Sequence, residues 1–424
     1  MKKIIASTFL FFLTFIIFSL LALPILLDLI FSIFIFFIFR KNYISIIIFN
    51  LSIVMMIFII DISFGKNEKY GYFYRAHEKY TTKKKNYQKN ISDIIFMPHG
   101  DIYVADAGLD KKREQIKVPR EQQFITDSYG IRNDKTNIED AEIILVGDSF
   151  ITGNSITQKH IPSNVLSEIS GKKVASLSYG GLDARDYEIF IDKYLNIIRK
   201  DAKIFVFYFE GNDFVKINNK LNIKKIDDSK YFEWRGHQIP LISGKIRFAY
   251  ERLERNKDKF LLRILSEKNY FLRNVRAKSH LMYRKFFSKL HNTGSPVQYF
   301  EIGNKTVGFL HTDNFEMNNE YTTYIFKNNK ILERVTGLFF IPTKLRIYSP
   351  YINSIAYNSN NKLEYLINSY SSLGVPVYDL SKNMSLSVAK YLSEGKYLYW
   401  RDDTHWNHNG IFVAMNYVSN IIKK

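Results

Sequence analysis

A serine, an asparagine and a histidine with neighbouring carboxylates lie in short patches along this chain. In order they are Gly147-Asp148-Ser149-Phe150, Gly211-Asn212-Asp213 and Asp402-Asp403-Thr404-His405-Trp406-Asn407. These are the side chains that acyl transfer needs. Serine is a weak nucleophile near neutral pH and requires a base to take its proton. Histidine titrates in the right range to be that base. A carboxylate fixes the imidazole tautomer, and a carboxamide stabilises an oxyanion.

A Gly-Asp-Ser tripeptide falls by chance in about one chain in ten of this length, so the surrounding sequence has to decide. Ala141 to Val146 is an apolar, β-branched run that ends at Gly147, and Lys203 to Phe209 is a second run just before Gly211. Both read as buried parallel strands with polar loops at their C-terminal ends, where open α/β sheets place ligands. Other roles stay open at this level. Ser149 suits a helix N-cap, and Asn212-Asp213 suits a turn. His405 suits a surface position, with Trp406 as a core anchor. Asp402, Asp403, His405 and His408 also form a cluster, but no evident third and fourth ligand spacing accompanies it, and no metal is expected.

The remaining elements place these patches on a sheet. Ile161 to Ile169 reads as a helix, Val174 to Leu177 as a strand ending at Ser178-Tyr179-Gly180-Gly181, and Asp186 to Ile198 as an amphipathic helix. Strand–helix alternation predicts a doubly wound parallel sheet. It breaks at about 215–334, read as a helical insertion on the pattern of Leu261, Leu262, Leu265, Phe271, Leu272 and Val275. Within it, Lys245 to Lys289 carries 14 Lys/Arg against 4 Asp/Glu. Such a run is either a solvated face or a surface for membrane or an anionic polymer. Alternation resumes with a strand at Gly337 to Ile341, a helix at Leu363 to Leu373, a strand at Val375 to Leu380 and a closing helix at Gly410 to Ile422.

The N-terminus sets the expected location. Apolar residues run almost unbroken from Ile4 to Phe39, interrupted by Pro24 and Asp28, and again from about Tyr43 to Ile60. One membrane-crossing helix needs about 20 residues, so three spans are expected within 1–63. Lys2, Lys3, Arg40 and Lys41 then lie inside, as the positive-inside rule prefers, and the large C-terminal region lies outside the cytoplasm. Residues 64–140 read as a juxtamembrane linker and an arm, and 141–424 as the catalytic domain. A net charge of +19 in a soluble chain would point to nucleic acid. Behind such an N-terminus the expected partners are the lipid bilayer and acidic polymers, and no nucleic acid. The absence of Cys excludes disulfides and thiolate metal sites.

From Ala141 onward, these patches resemble the SGNH or GDSL hydrolase superfamily. The resemblance implies a flavodoxin-like, three-layer α/β/α fold and a Ser-His-Asp site that needs no cofactor. The family's Gly-Asp-Ser-Leu motif matches Gly147 to Phe150, with Phe150 in place of Leu, which makes Ser149 the nucleophile. Its second motif supplies a glycine N–H to the oxyanion hole; Gly181 matches best, with Gly180 close by. The usual asparagine before that glycine is absent, with Ser176 in its region. Asn212 matches the oxyanion asparagine, which with the Ser149 N–H completes the hole. The family's Asp-x-x-His spacing selects Asp402. However, Asp403-Thr404-His405-Trp406 is similar to the Asp-x-His-Trp of SGNH-like alginate O-acetyltransferases, as is Ile341-Pro342-Thr343-Lys344, and this favours Asp403. The resemblance implies an ester hydrolase acting on a carbohydrate or other O-acylated substrate, such as an envelope polysaccharide. The alternatives are an O-acetyltransferase, for which a membrane protein could supply acyl groups, and a catalytically inactive glycan-binding or assembly protein.

Overall fold

The fold is that of a computed structural model, which describes residues 80, 82, 86–106, 110–217, 231–234, 237–240, 297–310, 320–352 and 361–423. The expected membrane spans within 1–63 and the basic run 245–289 lie outside these residues. Among the described residues, no helix is long and apolar enough to cross a membrane.

The described chain opens with an antiparallel hairpin of β1 (Ser92–Met97) and β2 (Arg120–Ile125). Next come β3 (Ile143–Gly147), β4 (Val174–Ser178), β5 (Lys203–Phe209) and the short β6 (Val215–Ile217). Two hairpins follow: β7 (Tyr231–Trp234) with β8 (His237–Pro240), and β9 (Val297–Ile302) with β10 (Lys305–Leu310). β11 (Glu320–Thr322) pairs back on β6, and the chain then forms β12 (Val335–Ile341) and β13 (Val377–Asp379). The chain divides into two units. The one made of Met1–Tyr72 and Asn222–Gly294 contains β7 and β8; the other, Phe73–Leu221 with Ser295–Lys424, carries the candidate site.

The main sheet has five strands in the order β13-β12-β5-β3-β4, and every pairing in it is parallel. Ranked by position in the chain and read from the β4 edge, that order is 2-1-3-4-5. Connections leave β3 in opposite directions, so the crevice between β3 and β5 is the topological switch point. β3 and β4 are buried along their whole length, which is why they read as continuous apolar runs.

Alternate strand residues feed two cores, as the two-residue period of a strand requires. Leu145, Phe207 and Phe339 join Leu166, Met384, Ile411 and Met415 on one face. Val146, Tyr208 and Phe340 join Tyr187, Ile191 and Leu366 on the other. These helical residues come from Pro162–Ser170, Ser381–Ser393 and His408–Ile422 on the first face, and from Ala184–Tyr194 and Lys362–Ser371 on the second. Phe207 and Phe339 stack at 5.0 Å, and truncating either to alanine costs about 3–5 kcal/mol.

Two features differ from the sequence expectation. The stretch 215–334, expected as a helical insertion, is largely strand where it is described. It provides β6, β7, β8, β9, β10 and β11 and, among the described residues, one short helix, Asn329–Leu332. The reason is local: a two-residue connection, Gly303-Asn304, joins β9 to β10, and Ile302, Val307 and Phe309 drop into the core. The Ser381–Ser393 helix was also not expected; its four serines thin out the apolar stripe.

Candidate active site

The candidate residues sit at the C-terminal ends of the central strands. β3 ends at Gly147, and the chain turns at once into the short helix Ser149–Thr152. The N-cap is Asp148, whose side chain accepts a hydrogen bond from the Phe150 N–H at 2.9 Å. Ser149 is therefore the first helical residue, and the capping role considered for it belongs to its neighbour.

His405 arrives on the loop between Trp400 and Asn407, pinched at its base by a backbone bridge between Tyr399 and Trp406. Asn407 caps the His408–Ile422 helix, accepting from the N–H groups of Asn409 and Gly410. Trp406 is fully buried; its indole N–H donates to the Phe150 carbonyl at 3.3 Å. This loop and the serine helix are thus joined directly, beside the reacting groups.

The structure brings Ser149, His405 and Asp403 together. His405 Nε2 lies 2.8 Å from Ser149 Oγ, and His405 Nδ1 lies 2.6 Å from Asp403 Oδ1. The ionised carboxylate can only accept, so Nδ1 carries a proton and Nε2 is the free base facing the hydroxyl. Asp403 Oδ1 also accepts the His405 backbone N–H at 3.0 Å, which ties the ring to its own backbone. All three side chains are buried.

Asp403 Oδ2 is held equally firmly. It accepts from Ser155 Oγ at 2.7 Å, Arg120 Nη2 at 3.1 Å and the Asp101 N–H at 3.3 Å. Burial alone would push the Asp403 carboxyl up. The His405 charge and hydrogen bond, then Arg120 and Ser155, outweigh it and hold Asp403 well below the usual carboxylate range. Asp403 therefore stays ionised through the neutral range, the state that would let it fix an imidazole tautomer.

Asp402 points elsewhere. Its carboxylate accepts from the N–H groups of Gly100 at 2.7 Å and Val118 at 3.0 Å, and from Arg120 Nη1 at 3.0 Å. It clamps the N-terminal arm to the His405 loop, and the arrangement selects Asp403 over Asp402 as the partner of His405. The arm grips the loop a second time: the Asp101 carboxylate accepts from Thr404 N at 2.8 Å and Thr404 Oγ1 at 2.6 Å. From the other side, the buried Lys344 ammonium donates to the carbonyls of Gly308, Trp400, Arg401 and Asp403 at 2.6–3.3 Å.

The expected oxyanion residues occupy neighbouring strand ends. Asn212 follows β5, and its Nδ2 donates to Asp148 Oδ2 at 3.1 Å, the oxygen that also lies 3.5 Å from Ser149 Oγ. The carboxamide is thus close to Ser149, on the same Asp148 oxygen. Gly181 follows β4, is exposed, and has φ +83 with open space where a side chain would stand. Gly180 is part-buried, and its N–H donates to Tyr87 at 3.4 Å. Beneath Asn212, Asp213 is buried. Its Oδ2 accepts from the Tyr187 hydroxyl and the Phe209 N–H, each at 2.7 Å. Its Oδ1 has no hydrogen-bond partner among the described residues. Burial, then the charge of Asp148, push Asp213 well above the usual range.

Asp101, Asp403 and His405 bring one potential ligand atom each within 4.8 Å of one another. Their hydrogen bonds are already committed, so a cation there would have to break the Asp403–His405 bond. His408, grouped with them in sequence, is exposed at the start of its helix and does not join them. Arg120, Asp101, Gly100 and Ser155 were not expected at the site. Arg120 and Asp101 carry no motif, and only the fold brings them in. Ser155 had one signal, its closeness to Ser149 in sequence. No protein-family model matches the chain, and no curated protein matches it in sequence.

Proposed function

We propose that this protein is an SGNH-type serine acyl enzyme, acting first as an ester hydrolase. The observation that carries this reading is the hydrogen-bonded run from Ser149 Oγ through His405 to Asp403, at 2.8 and 2.6 Å. The strand order 2-1-3-4-5 supports a flavodoxin-like, three-layer frame, since that is the order of such sheets.

In the proposed reaction Ser149 Oγ attacks an ester carbonyl while His405 Nε2 takes the hydroxyl proton. The resulting imidazolium is held by Asp403. Asn212 and the backbone N–H groups of Ser149 and Gly181 serve the developing oxyanion. His405 then returns the proton to the leaving alkoxide, and an acyl ester remains on Ser149. An incoming hydroxyl, deprotonated by the same nitrogen, attacks that ester, and His405 returns the proton to Ser149 Oγ as the acyl–serine bond breaks.

The second acceptor decides the outcome: water makes the protein an esterase, and a sugar hydroxyl makes it an O-acetyltransferase. One observation favours keeping the transferase reading. Lys344, from the Ile341-Pro342-Thr343-Lys344 segment, bonds to the Asp403 carbonyl. This joins the two segments that are similar to the alginate-type O-acetyltransferases. The apolar residues within 1–63 support a membrane-anchored protein with its site outside the cytoplasm and an O-acylated envelope polysaccharide as substrate.

The test is acetate release from p-nitrophenyl acetate and from an acetylated oligosaccharide by the full-length chain, with Ser149→Ala alongside. Ser149-dependent release is expected. Acetyl gain by an added oligosaccharide assigns the transferase. Glycan binding without turnover by either protein sinks the acyl-enzyme proposal and leaves a binding scaffold.

A further inference from the structure

Ser155 stands in a backbone conformation that serine rarely adopts. Its φ is +64, and among the described residues the only other non-glycine with positive φ is Asn90. The left-handed region brings the β-carbon of an L-residue against the following carbonyl. A residue kept there by its surroundings is a pointer to function.

The surroundings hold it from below. Arg132 is fully buried and donates to the carbonyls of Thr152 at 3.2 Å, Gly153 at 2.5 Å and Ile156 at 2.6 Å. The same guanidinium donates to the Gln158 side chain at 3.1 Å and the Gln123 carbonyl at 2.9 Å. A buried cation spent on backbone carbonyls at both ends of a five-residue loop fixes that loop's shape. The shape delivers one side chain: Ser155 Oγ, donating to Asp403 Oδ2 at 2.7 Å.

Ser149 opens the short helix that runs straight into this loop, so the hydrogen bonds close a ring. They run from Ser149 to His405, on to Asp403, and back through Ser155. We infer that Ser155 is a positioning residue for the acyl-transfer step, a fourth member of the relay that acts through Asp403. The inference rests on the serine-enzyme reading above. The Ser155 hydroxyl fixes the carboxylate plane and draws charge toward Oδ2, away from the oxygen that faces His405.

Several other charged groups face the same centre. Arg120 Nη2 is on Asp403 Oδ2, Lys344 Nζ is on the Asp403 carbonyl, and Asp101 Oδ2 lies 3.8 Å from His405 Nδ1. Asp148 lies beside Ser149, and Asp402 shares Arg120 with Asp403. None of them is altered in the variants below. Without the Ser155 hydroxyl, Oδ1 carries more negative charge and favours the imidazolium. The enzyme needs His405 neutral, so the acid limb of the rate profile moves to higher pH.

The experiment compares Ser155→Ala and Ser155→Gly with wild type and Ser149→Ala, all as full-length chains. The readout is the rate of Ser149 labelling by a fluorophosphonate probe from pH 5 to 9, with thermal unfolding alongside. Alanine keeps the left-handed strain and glycine relieves it, but both lack the hydroxyl. Both are expected to label about tenfold more slowly, with the acid limb raised by about half a pH unit. A folded variant with the wild-type rate overturns the inference. So does a slower variant with an unmoved limb, because that is what a purely structural serine would give. If the alanine variant fails to fold, the glycine variant decides alone by the same criteria. A wild type that does not label at Ser149 removes the serine-enzyme reading itself, and the inference with it.

Discussion

Replacing Gly100 with alanine tests whether a residue far from every motif holds the triad. Gly100 is buried and its N–H donates to Asp402 Oδ2 at 2.7 Å, across 302 positions of sequence. A methyl group there would meet the Asp402 carbonyl oxygen and stand 2.6 Å from Asp403 Cβ. Carbon atoms in good contact sit about 3.5–4.0 Å apart. Asp403 would therefore have to retreat by about 1 Å, while its bond to His405 is only 2.6 Å long. A displacement of that size costs about a hundredfold in rate, or about 2.7 kcal/mol of barrier. Overpacking should also cost about 1–3 kcal/mol of stability. The assay is kcat/KM for p-nitrophenyl acetate at 25 °C on the full-length chain, with thermal unfolding in parallel. Gly374→Ala is the control: φ is +75 and nothing lies within 4 Å of the added carbon. It should lose about 1–2 kcal/mol and keep its activity. Gly100→Ala with kcat/KM within twofold of wild type would refute the claim that this contact positions Asp403.

Other substitutions separate the buried acids. Asp403→Asn should lower kcat by about 10³–10⁴-fold, because the carboxamide stabilises the wrong imidazole tautomer. Asp402→Asn should instead keep kcat within about tenfold and cost about 1–3 kcal/mol of stability, since it loosens a clamp; urea unfolding and steady-state kinetics on both variants check this. Asp213→Asn should change the pH dependence of stability. The folded wild type holds its proton above the unfolded value, so its stability is fully present below about pH 4 and falls as pH rises toward the raised value. The asparagine variant lacks that loss, so its advantage should grow from pH 5 to pH 8 in urea midpoints. Parallel pH profiles for the two proteins would show that Asp213 ionises normally.

The sheet was legible because its strands are buried on both faces, which leaves long β-branched and aromatic runs such as Ile204 to Phe207. Ser149 and Asn212 were legible because each follows such a run. The choice between Asp402 and Asp403 was not settled by spacing, since both lie within reach of His405 in sequence. The fold separates them: His405 Nδ1 lies 2.6 Å from Asp403 Oδ1, whereas Asp402 accepts from the Gly100 and Val118 N–H groups. Arg120, Asp101 and Gly100 were illegible for a related reason: their types suit any exposed arm, and only tertiary packing brings them to residues 402–404. The β9–β10 hairpin carried a short turn signal at Gly303-Asn304, which went unread within a stretch taken as helical.

The clamp between the arm and the His405 loop has a kinetic consequence. The contacts at Gly100, Asp101 and Arg120 join residues 282 to 303 positions apart, whereas β3 and β4 pair across a single helical crossover. Closing so large a loop must precede any reward from those contacts. In refolding from denaturant, tyrosine signals from the sheet, where Tyr208 and Tyr378 lie, should return first and serine reactivity last. Labelling at Ser149 would then work as an internal clock hand, since a chain that labels has already closed the contacts between residues 100–120 and 402–404.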